Sequence, residues 1–377
     1  MNFQSLGLSR LLKLEGMVVA FLLGGFCTQL MAGSQDSVQN PAQGSVQTPA
    51  QGSVQYPAQG YSQHAKAQRL MDEMVEQHQF KREELEAWFA QAERKQNILD
   101  AISRPAEKTL TWGQYRNIFL KDSRIQKGVE FWRQNREALE AAENKYGVPP
   151  AVVVAIIGVE TRYGQHKGKH RVLDALSTLA FDYPRRSKFF TKELKQFLLL
   201  AREQQRDPLS LNGSYAGAMG YGQFMPSSYR AYATDFDGDG FVDIWNNPVD
   251  AIGSVANYFA RHGWRRGESV VHRVNPAEDY EASVLNRSLK PSETIASLGQ
   301  KGFRTEQILP PQASATAMRL RGEQGDEYWV GLKNFYVITR YNHSRLYAMA
   351  VYQLSQKIEQ AASEMQSQVL TAAPLNH

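Results

Sequence analysis

PPAVVVAIIGVETRYG, residues 149–164, carries no polar side chain from Ala151 to Val159 and then places Glu160 at the end of the run. Proline suits the first turn of a helix, where its missing N–H leaves no bond unmade, and an apolar surface on every side marks a helix buried all round. The carboxyl of Glu160 therefore sits in an apolar setting near the negative end of a helix. Both conditions disfavour its charged form and raise its pKa. A carboxylic acid still protonated near neutral pH can donate to a glycosidic oxygen, the role of the acid in a glycosidase. The commoner fate of a single buried glutamate is pairing with an arginine such as Arg162.

Working outward, Ala65 to Ala142 shows apolar positions at turn-like spacings, among them Leu70, Met74, Leu85, Trp88, Phe89 and Ile98. Further helices are expected near Ser187–Arg206, Pro248–His262 and Arg345–Ala362. Residues 268–335 differ, because SVVHRV, ATAMRLRG and YWVGL read as short strands between Pro, Ser and Gly turns. The pattern is mainly α with a small β-rich insert.

The N-terminal part is of another kind. Arg10 and Lys13 precede the apolar stretch LEGMVVAFLLGGF, and the run from Met17 to Phe26 is too short to span a bilayer comfortably, so it reads as an export signal. NPAQGSVQ, TPAQGSVQ and YPAQGYSQ follow between residues 40 and 63, three octapeptides with little to bury and a proline in each, which is a linker composition. Cys27 is the single cysteine of 377 residues, which excludes an intrachain disulfide, a thiolate metal site and a catalytic thiol in the folded part. Lipidation of Cys27 and cleavage near Ala32 or Gly33 are competing readings, the first disfavoured by Phe26 where a small residue is usual.

The net charge is +5, and the first 64 residues contribute nothing to it, since Arg10 and Lys13 balance Glu15 and Asp36. A mild positive balance suits an acidic polymer. No dense Lys/Arg stripe with interleaved aromatics appears, which argues against nucleic acid.

Two loops carry further chemistry. Gly213, Gly217, Gly220 and Gly222 lie close together, and a chain so poor in side chains can approach a ligand closely. It lacks the Lys-Ser/Thr ending of a phosphate loop. DFDGDGFVDIWN, residues 235–246, puts Asp235, Asp237 and Asp239 at positions one, three and five of an EF-hand-like calcium loop, with Gly240 at six, the Phe241 carbonyl at seven and Asp243 at nine. The pattern departs at twelve, where Asn246 stands in place of a bidentate glutamate.

PPAVVVAIIGVETRYG, GSYAGAMGYGQFMPSSY at 213–229 and NPVDAIGSVANYFARHGW at 247–264 together closely resemble glycoside hydrolase family 103, the membrane-bound lytic transglycosylase B type. The similarity runs from about Ala65 to the C-terminal helix. It implies a lysozyme-like helical core in which Glu160 is the sole catalytic acid and base. The enzyme would cleave the β-1,4 bond between N-acetylmuramic acid and N-acetylglucosamine in peptidoglycan, with the muramoyl 6-hydroxyl closing a 1,6-anhydro ring. That reaction needs no second carboxylate to position water, and none stands out: Asp174 and Asp182 read as helix-surface or turn residues.

The resemblance further implies that Ser214 and Gln223 line the cleft, that Tyr115, Tyr258, Tyr341, Asn342 and Tyr347 surround it, and that Asp250 closes a site for one structural Ca²⁺. The expected organisation is an export signal (1–33), a linker (34–64), a helical lead-in (65–142), a lysozyme-like catalytic core (143–265), a β-rich subdomain (266–335) and a helix returning to the core (336–377). The expected partners are peptidoglycan glycan strands, with cell-wall synthesis or division proteins as candidates, and the expected state is a monomer in the periplasm, with a tether through Cys27 left open. A hydrolytic muramidase of the same fold and a non-catalytic wall-binding scaffold are the rival readings. Anhydro ends, one water lighter than reducing ends, separate the first from the enzyme expected here.

Overall fold

The structure, a computed structural model, describes residues 60–103 and 110–372. The export segment with Cys27, and the linker up to residue 59, lie outside the described residues.

Six helices lead in: α1 (Ala65–His78), α2 (Arg82–Gln91), α3 (Gln96–Ile102), α4 (Trp112–Phe119), α5 (Asp122–Gln134) and α6 (Arg136–Tyr146). Their ends follow local chemistry. Thr111 and Gln114 form a reciprocal capping box at the start of α4, and Gly147 takes the left-handed conformation that ends α6. The apolar stretch then forms α7 (Pro150–Thr161), all of whose residues are buried. Each fully buried Val or Ile contributes roughly 1.5–3 kcal/mol, so α7 is the natural centre of the core.

The chain continues through strand β1 (His170–Arg171), α8 (Val172–Asp182), α9 (Ser187–Glu203), β2 (Asn212–Gly213), α10 (Pro226–Tyr232) and α11 (Pro248–Arg261). It then enters the β-rich part, with β3 (Val271–Val274), β4 (Glu293–Thr294), α12 (Ile295–Gln300), β5 (Ser314–Arg321) and β6 (Asp326–Gly331), and returns through α13 (Lys333–Tyr341) and α14 (Arg345–Ala372). Helices α5, α6, α11 and α14 all pack on α7.

The sheet is antiparallel with order β3-β6-β5-β4. It has a small core of its own, including Val274, Leu298, Phe303, Ala317 and Val330. The lead-in has none: Leu70, Phe89, Tyr115 and Phe119 belong to the same continuous apolar core as Val153, Ile156 and Leu354.

Three local readings of the sequence differ from the structure. Lys333–Tyr341 is helical, although the strand-like pattern extends to 335; its apolar residues Phe335, Val337, Ile338 and Tyr341 are buried in the helical core. Asp174 is buried rather than on a helix surface. Its carboxylate accepts the Glu93 N–H (3.0 Å) and Arg171 Nε (2.9 Å), and Lys95 lies 3.7 Å away, which ties the segment before α3 to α8.

The third difference is in the linker, whose last repeat ends inside the fold. Tyr61–Gln63 is a 3₁₀ turn, and the Tyr61 ring, only 5% exposed, packs 5.1 Å from that of Phe181 while its hydroxyl donates to Asp182. Serine occupies the corresponding position in the other two repeats, Ser45 and Ser53, so the tyrosine turns a spacer unit into an anchor. Tyr61→Ala is expected to lower unfolding stability by about 3 kcal/mol, the usual cost of deleting a buried ring. An unchanged urea midpoint would show that this anchor is not part of the folding unit.

Candidate active site

Glu160 is 3% exposed and lies in the last turn of α7. The helix stops there because Arg162 (φ 51°) and Tyr163 (φ 60°) both adopt the left-handed conformation, which side chains other than glycine seldom take. Gly158 makes that reversal possible: a Cβ there would lie 2.6 Å from the Tyr163 hydroxyl, which folds back to donate to the Arg124 carbonyl at 2.8 Å. Arg124, itself buried on α5, donates from Nη1 to the Gly158 carbonyl (2.6 Å) and lies over the Phe119 ring. A guanidinium at this end of the helix complements its exposed carbonyls.

The Tyr347 hydroxyl donates to Glu160 Oε1 at 2.5 Å. Burial pushes the Tyr347 phenol well above its ordinary pKa, and the Glu160 charge pushes the same way, so the group remains a donor throughout the physiological range. Tyr341 is likewise raised, by burial first and then by Glu160, and donates to the Gly222 carbonyl at 2.5 Å. Gly222 has to be glycine, since a Cβ would meet that hydroxyl at 2.7 Å. Tyr115, fully buried on α4, adds to the electrostatic surroundings of Tyr347.

The glycine-rich loop is folded on itself. Ser214 Oγ accepts the N–H groups of Ala216 (3.3 Å) and Ala218 (3.0 Å), and Met219 pairs with Phe224. Gln223, a third non-glycine residue with positive φ (51°), donates its amide nitrogen to the carbonyls of Lys167 (3.2 Å) and Gly220 (3.0 Å). Two carbonyl partners fix which end of the amide is nitrogen, and among the described residues Gln223 Oε1 is buried without a partner, as is Asn342 Oδ1. Buried acceptors of this kind are rare and call for a donor. Tyr258 is farther back: its hydroxyl is used by the Arg340 carbonyl (2.6 Å), and its ring stacks on His262, with centroids 4.0 Å apart.

In the acidic loop the carboxylates of Asp235, Asp237 and Asp250 converge, with one oxygen of each within 4.8 Å of the others. Asp250 is 0% exposed and accepts the N–H groups of Phe236 and Asp243, both at 2.7 Å. Burial raises its pKa, and the charges of Asp237 and Asp235 add to the rise. Asp239 stands outside the trio, its carboxylate accepting the Phe241 N–H at 2.8 Å, and the Phe241 side chain is 62% exposed. Asp243 is paired with Arg206 at 3.0 Å.

This loop is joined to the end of α7. The Ile244 carbonyl accepts Tyr221 N–H (2.9 Å), and the Tyr221 carbonyl meets Thr161 Oγ1 (2.9 Å), next to Glu160. Sequence reasoning missed Arg124, Thr161 and Tyr163 as supports. Thr161 and Tyr163 lie inside the ETRYG motif, but a motif does not say which of its members touch; Arg124 sits 36 residues upstream of Glu160 with no local signal.

The family model described as the transglycosylase SLT domain matches residues 62–356. The membrane-bound lytic murein transglycosylase B of Escherichia coli strain K12 is 47% identical over 307 residues, covering 79% of this chain and 84% of that protein. Among solved structures, soluble lytic transglycosylase SltB1 from Pseudomonas aeruginosa is 55% identical (TM-score 0.77; 79% and 99% of the two chains). The Escherichia coli lytic transglycosylase Slt35 in complex with calcium is 47% identical (0.75; 81% and 97%). SltB3 from Pseudomonas aeruginosa in complex with NAG-NAM-pentapeptide is 28% identical (0.70; 78% and 79%).

Tyr347→Phe removes the donor to Glu160 while keeping the ring. Turnover is expected to fall on the order of 10- to 100-fold with KM little changed, as when a hydrogen bond orienting a catalytic group is lost. Steady-state kinetics on glycan strands would check this; a change confined to KM would place Tyr347 in substrate binding alone.

Proposed function

The chain belongs to the transglycosylase SLT domain family, and we propose that Glu160 is the single acid and base with which it works. The enzyme is a lytic transglycosylase that cleaves the β-1,4 bond between N-acetylmuramic acid and N-acetylglucosamine in peptidoglycan and leaves 1,6-anhydromuramoyl ends. The observation that carries the residue assignment is a buried carboxyl at a helix end, bonded to Tyr347.

In the protonated state Glu160 gives its proton to the glycosidic oxygen. The bond to the anomeric carbon breaks, and its electron pair leaves on that oxygen. The muramoyl 6-hydroxyl then attacks the anomeric carbon and returns a proton to Glu160, so the enzyme is regenerated and no water is consumed. Tyr347 supports both halves of the cycle, because its hydroxyl, donating to Oε1, holds the carboxyl in one orientation while the proton leaves and returns. Gln223 Oε1 and Asn342 Oδ1 are suited to accept N–H groups of the acetamido substituents, and Tyr115, Tyr341 and Ser214 complete the proposed lining. Tyr258 acts from behind, through its packing on Tyr341, whose ring lies 4.8 Å away.

A Ca²⁺ ion fits the acidic loop. Asp235, Asp237 and Asp250 would hold it through hard carboxylate oxygens, helped by the Phe241 carbonyl, with Asp239 in the outer part of the loop. The ion would supply charge compensation for a buried carboxylate, and its role is structural. The likeness to a protein solved with calcium supports this reading. Peptidoglycan strands are the proposed partner and export to the periplasm the proposed location. Among the described residues no helix is long and apolar enough to cross a membrane.

Digestion of purified sacculi by the wild type should release fragments one water lighter than reducing-end products on mass spectrometry, and Glu160→Gln should still bind sacculi yet release none. Reducing ends alone would sink the transglycosylase chemistry; retained activity in the variant would sink the role of Glu160. Chelation should lower the melting temperature, added Ca²⁺ should restore it, and Asp250→Asn should abolish the calcium-dependent rise.

A further inference from the structure

A cavity of about 280 Å³ lies away from Glu160, between α4 and the β5–β6 hairpin, lined by Arg116, Arg273, Gln324, Gly325, Asp326 and Glu327. Its lining carries two cations and two anions and no apolar side chain, unlike a gap left by imperfect packing. Its floor is built: the Glu327 carboxylate takes hydrogen bonds from Arg116 Nη1 (3.0 Å) and from the indole N–H groups of Trp112 and Trp329 (3.3 Å each). Glu327 and Arg116 thus satisfy each other.

Two charges remain at the mouth. Arg273 rests over the Trp329 ring, 5.9 Å from its centroid, with no ion pair to a carboxylate among the described residues. Among the described residues Asp326 has one ion-pair partner, Arg319 at 3.7 Å. An exposed guanidinium and an exposed carboxylate lining one opening complement a ligand group with an ammonium and a carboxylate on the same carbon. Helix α4 also carries Tyr115, so one helix serves both the catalytic cleft and this cavity.

We propose that this cavity is a binding site for the stem peptide of the substrate, holding the zwitterionic end of a diamino-acid side chain with Arg273 on its carboxylate and Asp326 on its ammonium. The proposal rests on the reading of the chain as a peptidoglycan enzyme and names the part of the polymer the cleft leaves unused. An extended peptide covers about 3.3–3.6 Å per residue and an eight-residue helix rises about 12 Å, so a stem of about four residues matches the length of α4. The site makes the enzyme prefer peptide-bearing strands and contributes nothing to bond cleavage.

The test separates binding from catalysis. In full-length Glu160→Gln protein, calorimetry would compare three soluble probes: a disaccharide carrying a diaminopimelate-containing peptide, the same compound with lysine in place of diaminopimelate, and the bare disaccharide. Lysine lacks only the side-chain carboxylate. The expected order of affinity is diaminopimelate over lysine by about tenfold, the worth of one charge-assisted contact, and Arg273→Gln should erase that difference while leaving bare-disaccharide binding unchanged. Equal affinity for the two peptides, or an equal loss for all three probes in Arg273→Gln, overturns the proposal. In the catalytically intact chain, Arg273→Gln should reduce kcat/KM on peptide-bearing strands to the wild-type value on strands stripped of peptide, and leave the stripped strands unaffected. Anhydro ends in every catalytic arm report on Glu160 independently of the peptide preference.

Discussion

The hydrogen bond from Tyr347 to Glu160 joins the last helix of the chain to the helix at the centre of its core, and much of the architecture serves to make it possible. A carboxyl group surrendered to the interior loses its hydration and has to be met by a donor that cannot drift. Tyr347 meets it because α14 packs along α7, and α14 reaches that position only after the chain has left the helical core, built a small sheet and returned through α13. The β-rich part is an excursion between two pieces of one core. Mutations that loosen α14 should therefore act on the site even when they are far from it in sequence.

A second feature is the strained backbone at the end of α7 and in the glycine-rich loop. Arg162, Tyr163 and Gln223 all adopt positive φ, and each is held by tertiary partners that a local sequence preference would not supply. Tyr163 is fastened through its hydroxyl to Arg124, and Gln223 through its amide to Lys167 and Gly220. Strain of this kind persists where surrounding contacts over-determine it, which is typical of sites that must present groups in one geometry. Gly158 and Gly222 play the complementary part, since each leaves room for a tyrosine hydroxyl that any side chain would displace.

The acidic loop belongs to the same construction. Ile244 follows directly on the loop's Asp243, and its carbonyl holds Tyr221, whose carbonyl meets Thr161, the neighbour of Glu160. The repulsion among Asp235, Asp237 and the wholly buried Asp250 is thus located only a few contacts from Glu160. Under the proposed calcium reading, a divalent cation there would neutralise that repulsion and steady the segment that holds Tyr221.

Much of the protein was legible in its residues. The all-apolar run from Ala151 to Val159 determined a buried helix, because no other environment suits such a surface, and Glu160 at its end could only be paired or functional. The spacing of Asp235, Asp237 and Asp239 pointed to a hard cation, although only the first two converge with Asp250. Resemblance placed Tyr347 near the cleft, but its partner could not be read from sequence, since residues 187 positions apart meet only through packing. The helix at Lys333–Tyr341 was hidden because β-branched and aromatic residues serve strand and buried helix alike. Asp174 and Tyr61 looked like surface and linker residues for the same reason: burial is a property of what else arrives. Sequence by itself determined which groups are chemically able to act, since residue type sets charge, acidity and local conformation. Tertiary structure alone decided which of them touch, because hydrogen bonds act over about 3 Å and only folding brings distant segments that close.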